Sequence, residues 1–183
     1  STALALSACS AVGADTAPAP IAAPPEAPVP APSPAAARQH ITQLPRVAVP
    51  SHYEVMVKPD AANLTFDGAS TAHFTVTEPT SIITMQALNL TFSGATLKAA
   101  DGSSVALNIA TDEANQTVTF TAPTVLQPGE YTIASTYKGV IQTQANGLFA
   151  LDYKNPEGEP ARALYTQFEP GDVRRFLPSW DEP

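Results

Sequence analysis

The chain has 183 residues, 44% of them hydrophobic and only 14% charged, with 19 prolines, one cysteine and a formal net charge of −8. That length allows one ordinary domain, or one and a half. A sequence pI near 4.7 and no basic cluster argue against a nucleic-acid partner, because nothing would replace the phosphate counterions. One cysteine rules out a disulfide scaffold, and no apolar run reaches the ~18 residues that span a bilayer as a helix.

The low charge and the excess of proline share one source. Residues 1–45 hold nine prolines, fourteen alanines and three charged side chains, Asp15, Glu26 and Arg38. Such a stretch cannot bury enough apolar surface to offset its ordering entropy, so it is expected to be disordered and to leave a foldable part of about 140 residues. Its beginning, Leu6-Ser7-Ala8-Cys9-Ser10, resembles a bacterial lipobox. There, small residues before the cysteine admit the signal peptidase, and the thiol then carries diacylglycerol. On that reading residues 1–14 are the remnant of a signal peptide whose basic start is missing, and Cys9 is lipidated. Cleavage after Ala14, yielding a soluble secreted protein, is the alternative. The implied location is a bacterial envelope, in the periplasm or at the outer membrane. Residues 15–43 read as a linker. From Ala17 to Ala37 the chain is alanine and proline apart from Ile21, Glu26, Val29 and Ser33, an extended spacer that reaches on the order of 60 Å at ~3.1 Å per residue.

Residues 44–183 read as one all-β domain. Tyr53, Val55 and Val57 alternate with Glu54 and Lys58, and residues 72–77 alternate likewise. The apolar run 82–90 is long enough for one buried strand, or two joined by a bend. Shorter strands are predicted at 96–98, 105–109, 117–121 and 131–138. Asp67-Gly68, Ser93-Gly94, Asp101-Gly102, Pro128-Gly129 and Asn146-Gly147 carry turn chemistry. Closely spaced short strands predict an antiparallel β-sandwich or a curved, saddle-like sheet.

Isolated features have plain explanations. His40, His52 and His73 have no second histidine or cysteine at ligand spacing, so no zinc site is expected from this chain. The Asn-X-Thr triplets at Asn63, Asn89 and Asn115 are read as chance, and Asp112-Glu113 as a solvated turn.

Residues 165–183 read Tyr-Thr-Gln-Phe-Glu-Pro-Gly-Asp-Val-Arg-Arg-Phe-Leu-Pro-Ser-Trp-Asp-Glu-Pro. This resembles the segment TQFEPTDARRAFPCFDEP that closes the N-terminal domain of aminopeptidase N-type (gluzincin) zinc metallopeptidases. Earlier segments agree in order: Pro50-Ser51-His52-Tyr53, Phe66-Asp67-Gly68 with Thr77-Glu78-Pro79, Leu126-Gln127-Pro128-Gly129-Glu130-Tyr131, and Asn146-Gly147-Leu148-Phe149. The departures, Gly171 for Thr, Val173 for Ala, and Ser179-Trp180 for Cys-Phe, fall at positions that read as structural.

The resemblance implies a peptidase acting on peptides with a free N-terminus, with Gln167 and Glu169 binding substrate in the S1 site. Physically, a partly desolvated carboxylate holds an α-ammonium group through a charge-assisted hydrogen bond, and a neighbouring amide can donate or accept. Two apart on a strand, Gln167 and Glu169 would leave the same face. Without the resemblance, Gln167 would be an exposed strand residue and Glu169 the cap of a short helix around 171–176. Asp172, Arg174, Arg175, Asp181 and Glu182 read as structural ion-pair partners. The family's zinc ligands (HExxH and a later glutamate) and its GxMEN loop are not in these residues. The zinc is therefore implied for a full-length enzyme and not ligated by this chain, whose catalytic domain would follow Pro183. The alternative is a non-catalytic tethered β-sandwich module or scaffold.

Overall fold

The computed structural model describes residues 43–181, in which ten strands and one 3₁₀ turn follow in order. The expected signal remnant, Cys9 and the linker to residue 42 lie outside the described residues, as does Glu182. The strands are β1 (Ala48–Asp60), β2 (Thr65–Val76), β3 (Thr80–Gln86), β4 (Thr91–Ala99), β5 (Ser104–Ala106), β6 (Asn108–Asp112), β7 (Thr117–Leu126), β8 (Gly129–Val140), β9 (Gly147–Lys154) and β10 (Pro160–Gln167). They form a five-stranded sheet β1-β2-β8-β4-β5, a three-stranded sheet β3-β7-β6 and the hairpin β9-β10, every pairing antiparallel. The all-β expectation holds.

Alternation explains how the sheets meet. Phe66, Gly68, Ser70, Ala72, Phe74 and Val76 are the buried face of β2, and Ile133, Ser135 and Tyr137 continue it on β8. Ile83 and Met85 of β3 and Val118, Phe120 and Ala122 of β7 face them from the second sheet. Phe92 joins the layers, edge-on to Phe120 at 5.8 Å between ring centroids and 5.7 Å from Tyr137. Phe66, Phe74, Ile83, Met85, Val118, Phe120 and Ile133 are fully buried, and each contributes about 1.5–3 kcal/mol through removal of apolar surface from water.

Two predicted turns are strand interior. Asp67-Gly68 lies within β2, opposite Lys138 and Tyr137, because Gly68 leaves room for the Tyr137 ring. Ser93-Gly94 lies within β4, where the register with β8 shifts between Phe92 and Gly94. Asp101-Gly102 is a turn as expected, with Gly102 at φ +85. The predicted strand 105–109 is two short strands in different sheets. At buried Leu107, whose N–H donates to Ala95 O at 3.0 Å, the chain passes from β5, paired with β4, to β6, paired with β7. The run 82–90 is a strand only as far as Gln86.

Candidate functional site: the C-terminal hairpin and the segment after it

The hairpin β9-β10 carries one apolar face to the body and another outward. Leu148, Ala150 and Leu164 pack toward the core. The Gln142 N–H donates to Leu148 O and the Ala150 N–H to Gln142 O, both at 2.8 Å, which ties β9 to the end of β8. On the same side, Arg162 holds Asp152 through Nε–Oδ1 (2.5 Å) and Nη2–Oδ2 (2.8 Å) and reaches Ala61 O with Nη1. Hydrogen bonding from that guanidinium holds the Asp152 carboxyl below its ordinary pKa.

The register places Phe149 opposite Tyr165, Leu151 opposite Ala163, Tyr153 opposite Ala161 and Gly147 opposite Gln167. These residues share the outward face. Leu151, Tyr153 and Tyr165 are about half exposed, and the Phe149 and Tyr165 rings lie 5.9 Å apart. Gln167 therefore stands at the end of an apolar, aromatic surface, with no side chain opposite it. Sequence reasoning missed this surface. The alternation of Phe149, Leu151 and Tyr153 is the signal that could have found it.

Gln167 is the last residue of β10, and Glu169 is not on the strand. The expectation that strand alternation puts both on one face is corrected here. Phe168 turns inward to Phe176, 5.3 Å between centroids, and Phe176 in turn meets Phe66 at 5.8 Å. Glu169 then sits in a turn before Pro170, with a cis peptide between them, and proline has no N–H to continue a ladder. Both Gln167 and Glu169 are exposed, and among the described residues neither side chain makes a hydrogen bond or an ion pair. The predicted short helix is the 3₁₀ turn Asp172–Arg175. Its N-cap is Gly171 with no side-chain cap, so Glu169 does not cap it.

The segment carrying Glu169 is fastened on every side. Arg175 Nε donates to Asp172 Oδ1 at 2.9 Å, and Arg174 donates to Gln116 Oε1 at 2.8 Å and to Asp181 Oδ2. The ion-pair expectation for these residues holds. The Leu88 N–H donates to Arg174 O at 2.8 Å, and Gln86 and Ser179 exchange backbone bonds of 2.8 and 3.1 Å. The Asp181 N–H donates to Oε1 of buried Gln86, at 2.9 Å. The Trp180 N–H donates to the Tyr53 hydroxyl at 3.0 Å, and the Trp180 ring lies 5.5 Å from Phe74. Burial pushes the Tyr53 phenol above its ordinary pKa, which the bond from Trp180 partly offsets. Gly147, at φ +64, lets the turn approach β9: a Cβ there would stand 3.0 Å from Arg175 Cβ.

This arrangement is an exposed amide and an exposed carboxylate, close in sequence, beside a segment hydrogen-bonded to the body of the domain. Such a pair can recognise an ammonium group and a carbonyl. Among the described residues no three His, Cys, Asp or Glu side chains converge, as they stand, on a point that could hold a metal ion.

The fold and this motif-bearing segment define an all-β, antiparallel domain closed by a short 3₁₀ turn. The model of the Peptidase M1 N-terminal domain matches residues 49–183, and the chain belongs to that family. Aminopeptidase N of Acetobacter pasteurianus is 38% identical over 141 residues, covering 77% of this chain and 39% of the relative. Aminopeptidase 2 of Candida albicans is 35% identical over 149 residues, covering 80% and 15%. Endoplasmic reticulum aminopeptidase 1 of Homo sapiens is 30% identical over 145 residues, covering 77% and 15%. The chain thus spans well under half the length of these relatives.

Proposed function

We propose that this chain is the N-terminal, substrate-recognising part of a zinc-dependent aminopeptidase that removes N-terminal amino acids from peptides. Gln167 and Glu169 take the substrate's free N-terminus, Glu169 by a charge-assisted bond to the α-ammonium group and Gln167 through its amide. The observation that carries the reading is their placement. Both are exposed and unbonded to described residues, within the matched family region, and they flank Phe168, which is packed into the domain. Zinc would be held by residues outside this chain and would supply Lewis-acid activation of the scissile carbonyl and water. The residues here contribute binding and orientation only.

In the same proposal, residues 44–183 are the recognition domain, 15–43 a spacer, and 1–14 a signal-peptide remnant with its lipobox at Cys9, cut before that cysteine, which carries the lipid. The protein would then sit at a bacterial envelope membrane, facing peptide substrates. Radiolabelled palmitate incorporation that is lost in Cys9→Ser supports the anchor. Equal labelling of both forms removes it.

The test of the site uses the protein carrying its downstream catalytic region. Glu169→Ala should raise KM for aminoacyl anilides at least tenfold, with a smaller change in kcat, and unchanged kinetics would take Glu169 out of the site. The 183-residue chain alone should show no turnover of these substrates. A coding sequence that continues without HExxH and the later glutamate would instead leave a non-catalytic binding module.

A further inference from the structure

Histidines that stand 21 positions apart in sequence meet on the outward face of the five-stranded sheet. His52 of β1 and His73 of β2 are direct cross-strand partners, with ring centroids 5.5 Å apart. Glu54, two residues along β1 on the same face, brings Oε1 to 3.1 Å from His73 Nε2. His52 and Glu54 are exposed, and the His73 side chain is 36% exposed. All three can therefore turn without disturbing the core.

We infer that His52, His73 and Glu54 form a surface site for a divalent late transition-metal ion of the Cu²⁺, Ni²⁺ or Zn²⁺ class. Imidazole and carboxylate together suit these borderline ions. The three side chains are near enough to reach one ion after rotation. Two donors each ~2.1 Å from a metal and about 95° apart are separated by about 3.1 Å, the distance found between His73 Nε2 and Glu54 Oε1. Two imidazoles bound to one ion at ~2.1 Å, about 105–120° apart, put their ring centroids about 5.1–5.5 Å from each other. The observed 5.5 Å falls at the wide end of that range.

As they stand the three donors do not converge. The His73–Glu54 hydrogen bond occupies the position an ion would take, and binding replaces its shared proton with the metal while His52 rotates in. The β1–β2 pairing keeps His52 opposite His73 throughout. Beside the triad lies an open depression of about 570 Å³, lined also by Ser51, Lys98 and Glu130. It leaves room for coordinated water to complete the shell. Its two carboxylates outnumber the single ammonium, and Thr75 Oγ1 donates to Glu130 and so holds one of them in place. The ion would staple edge strand β1 to β2. This site is separate from the zinc of the proposed enzyme and does not rest on that proposal.

The test is Cu²⁺ titration of the 183-residue chain at pH 7.5 against a competing chelator, with electron paramagnetic resonance of the bound ion. One equivalent should bind with nitrogen hyperfine structure from two imidazoles. His52→Ala and His73→Ala should each weaken binding at least tenfold, Glu54→Gln should weaken it less, and His40→Ala and Cys9→Ser should leave it unchanged. Zn²⁺ should raise the Tm of the parent chain and not of His73→Ala. Circular dichroism should show the exposed-site variants folded, so that lost binding reports lost ligands. Full affinity in both His52→Ala and His73→Ala, or a loss that follows His40→Ala or Cys9→Ser instead, overturns the site.

Discussion

Gly68 lies beneath the aromatic ring of Tyr137, so close that a Cβ added to the glycine would stand 2.2 Å from Tyr137 Cε2. The two residues are register partners across β2 and β8, and the relation is repeated one step along: Phe66 covers its own partner Gly139 in the same way. The two rings then meet edge-on at 6.5 Å. Large side chains on one strand are thus laid over glycines on the next, which lets two aromatics share the width of one core layer.

Gly68→Ala should therefore overpack the core. Tyr137 is 3% exposed and boxed in by Phe66 and Phe92, so its ring has little room to yield. The expected loss is about 1–3 kcal/mol, read as a lower urea midpoint at unchanged slope. A midpoint equal to the parent's would show that the ring can move aside.

Tyr137 should also make the domain sensitive to alkali. Burial pushes its phenol up to about 12, opposed only in part by the Ser70 hydroxyl, whereas the unfolded chain ionises near 10. The folded state thus binds the proton more tightly. The stabilisation is complete below pH ~10 and is lost as pH rises from there toward ~12. Tyr137→Phe should flatten the fall of the urea midpoint between pH 10 and pH 12. At pH 7 it should cost little, because the Tyr137 hydroxyl is buried without a hydrogen-bond partner of good geometry.

Tyr53→Phe should loosen the C-terminal segment from β1. The Trp180 N–H would lose its acceptor at a half-buried position, an expected cost of about 1–3 kcal/mol. Hydrogen exchange of the Trp180 amide should accelerate, while amides in β2 and β8 follow only the global change. Uniform acceleration across all three would mean that the segment has no stability of its own.

Arg162→Ala should act locally. The Arg162–Asp152 pair is on the surface, and such pairs contribute little to global stability. The same side chain also ties the hairpin to Ala61, however, so its loss should speed exchange in β9 and β10 and leave the global urea midpoint in place. A large midpoint shift would instead make the hairpin part of the cooperative core.

Much of the fold was legible from alternation. The buried and exposed faces of β2 and β8, and of β7 from Val118 to Ala122, follow the period-2 pattern of their residues, because each has one face on the core and one in water, whereas on edge strand β1 Tyr53 and Val57 are only half-buried and Val55 is exposed. Turn chemistry misled where glycine serves a different purpose. Asp67-Gly68 carries a hairpin signal, yet the glycine is there to admit a ring from a residue 69 positions later. The site was half legible. The motif around Gln167 and Glu169 marked the right segment, but the strand ends between them, because Phe168 finds a better partner in Phe176 than in the ladder.

The residue pattern alone determined an all-β domain after an alanine–proline stretch, the family of its last twenty residues, and the ion-pairing of Asp172, Arg174 and Arg175. These are local properties, carried by neighbours in the chain. Only the tertiary structure decided which strand lies beside which: that Leu107 divides a single predicted strand between two sheets, that Gln167 closes an aromatic face, and that His52 meets His73. Strand pairing is a long-range choice, made by which apolar faces can be buried together, and spacing along the chain does not encode it.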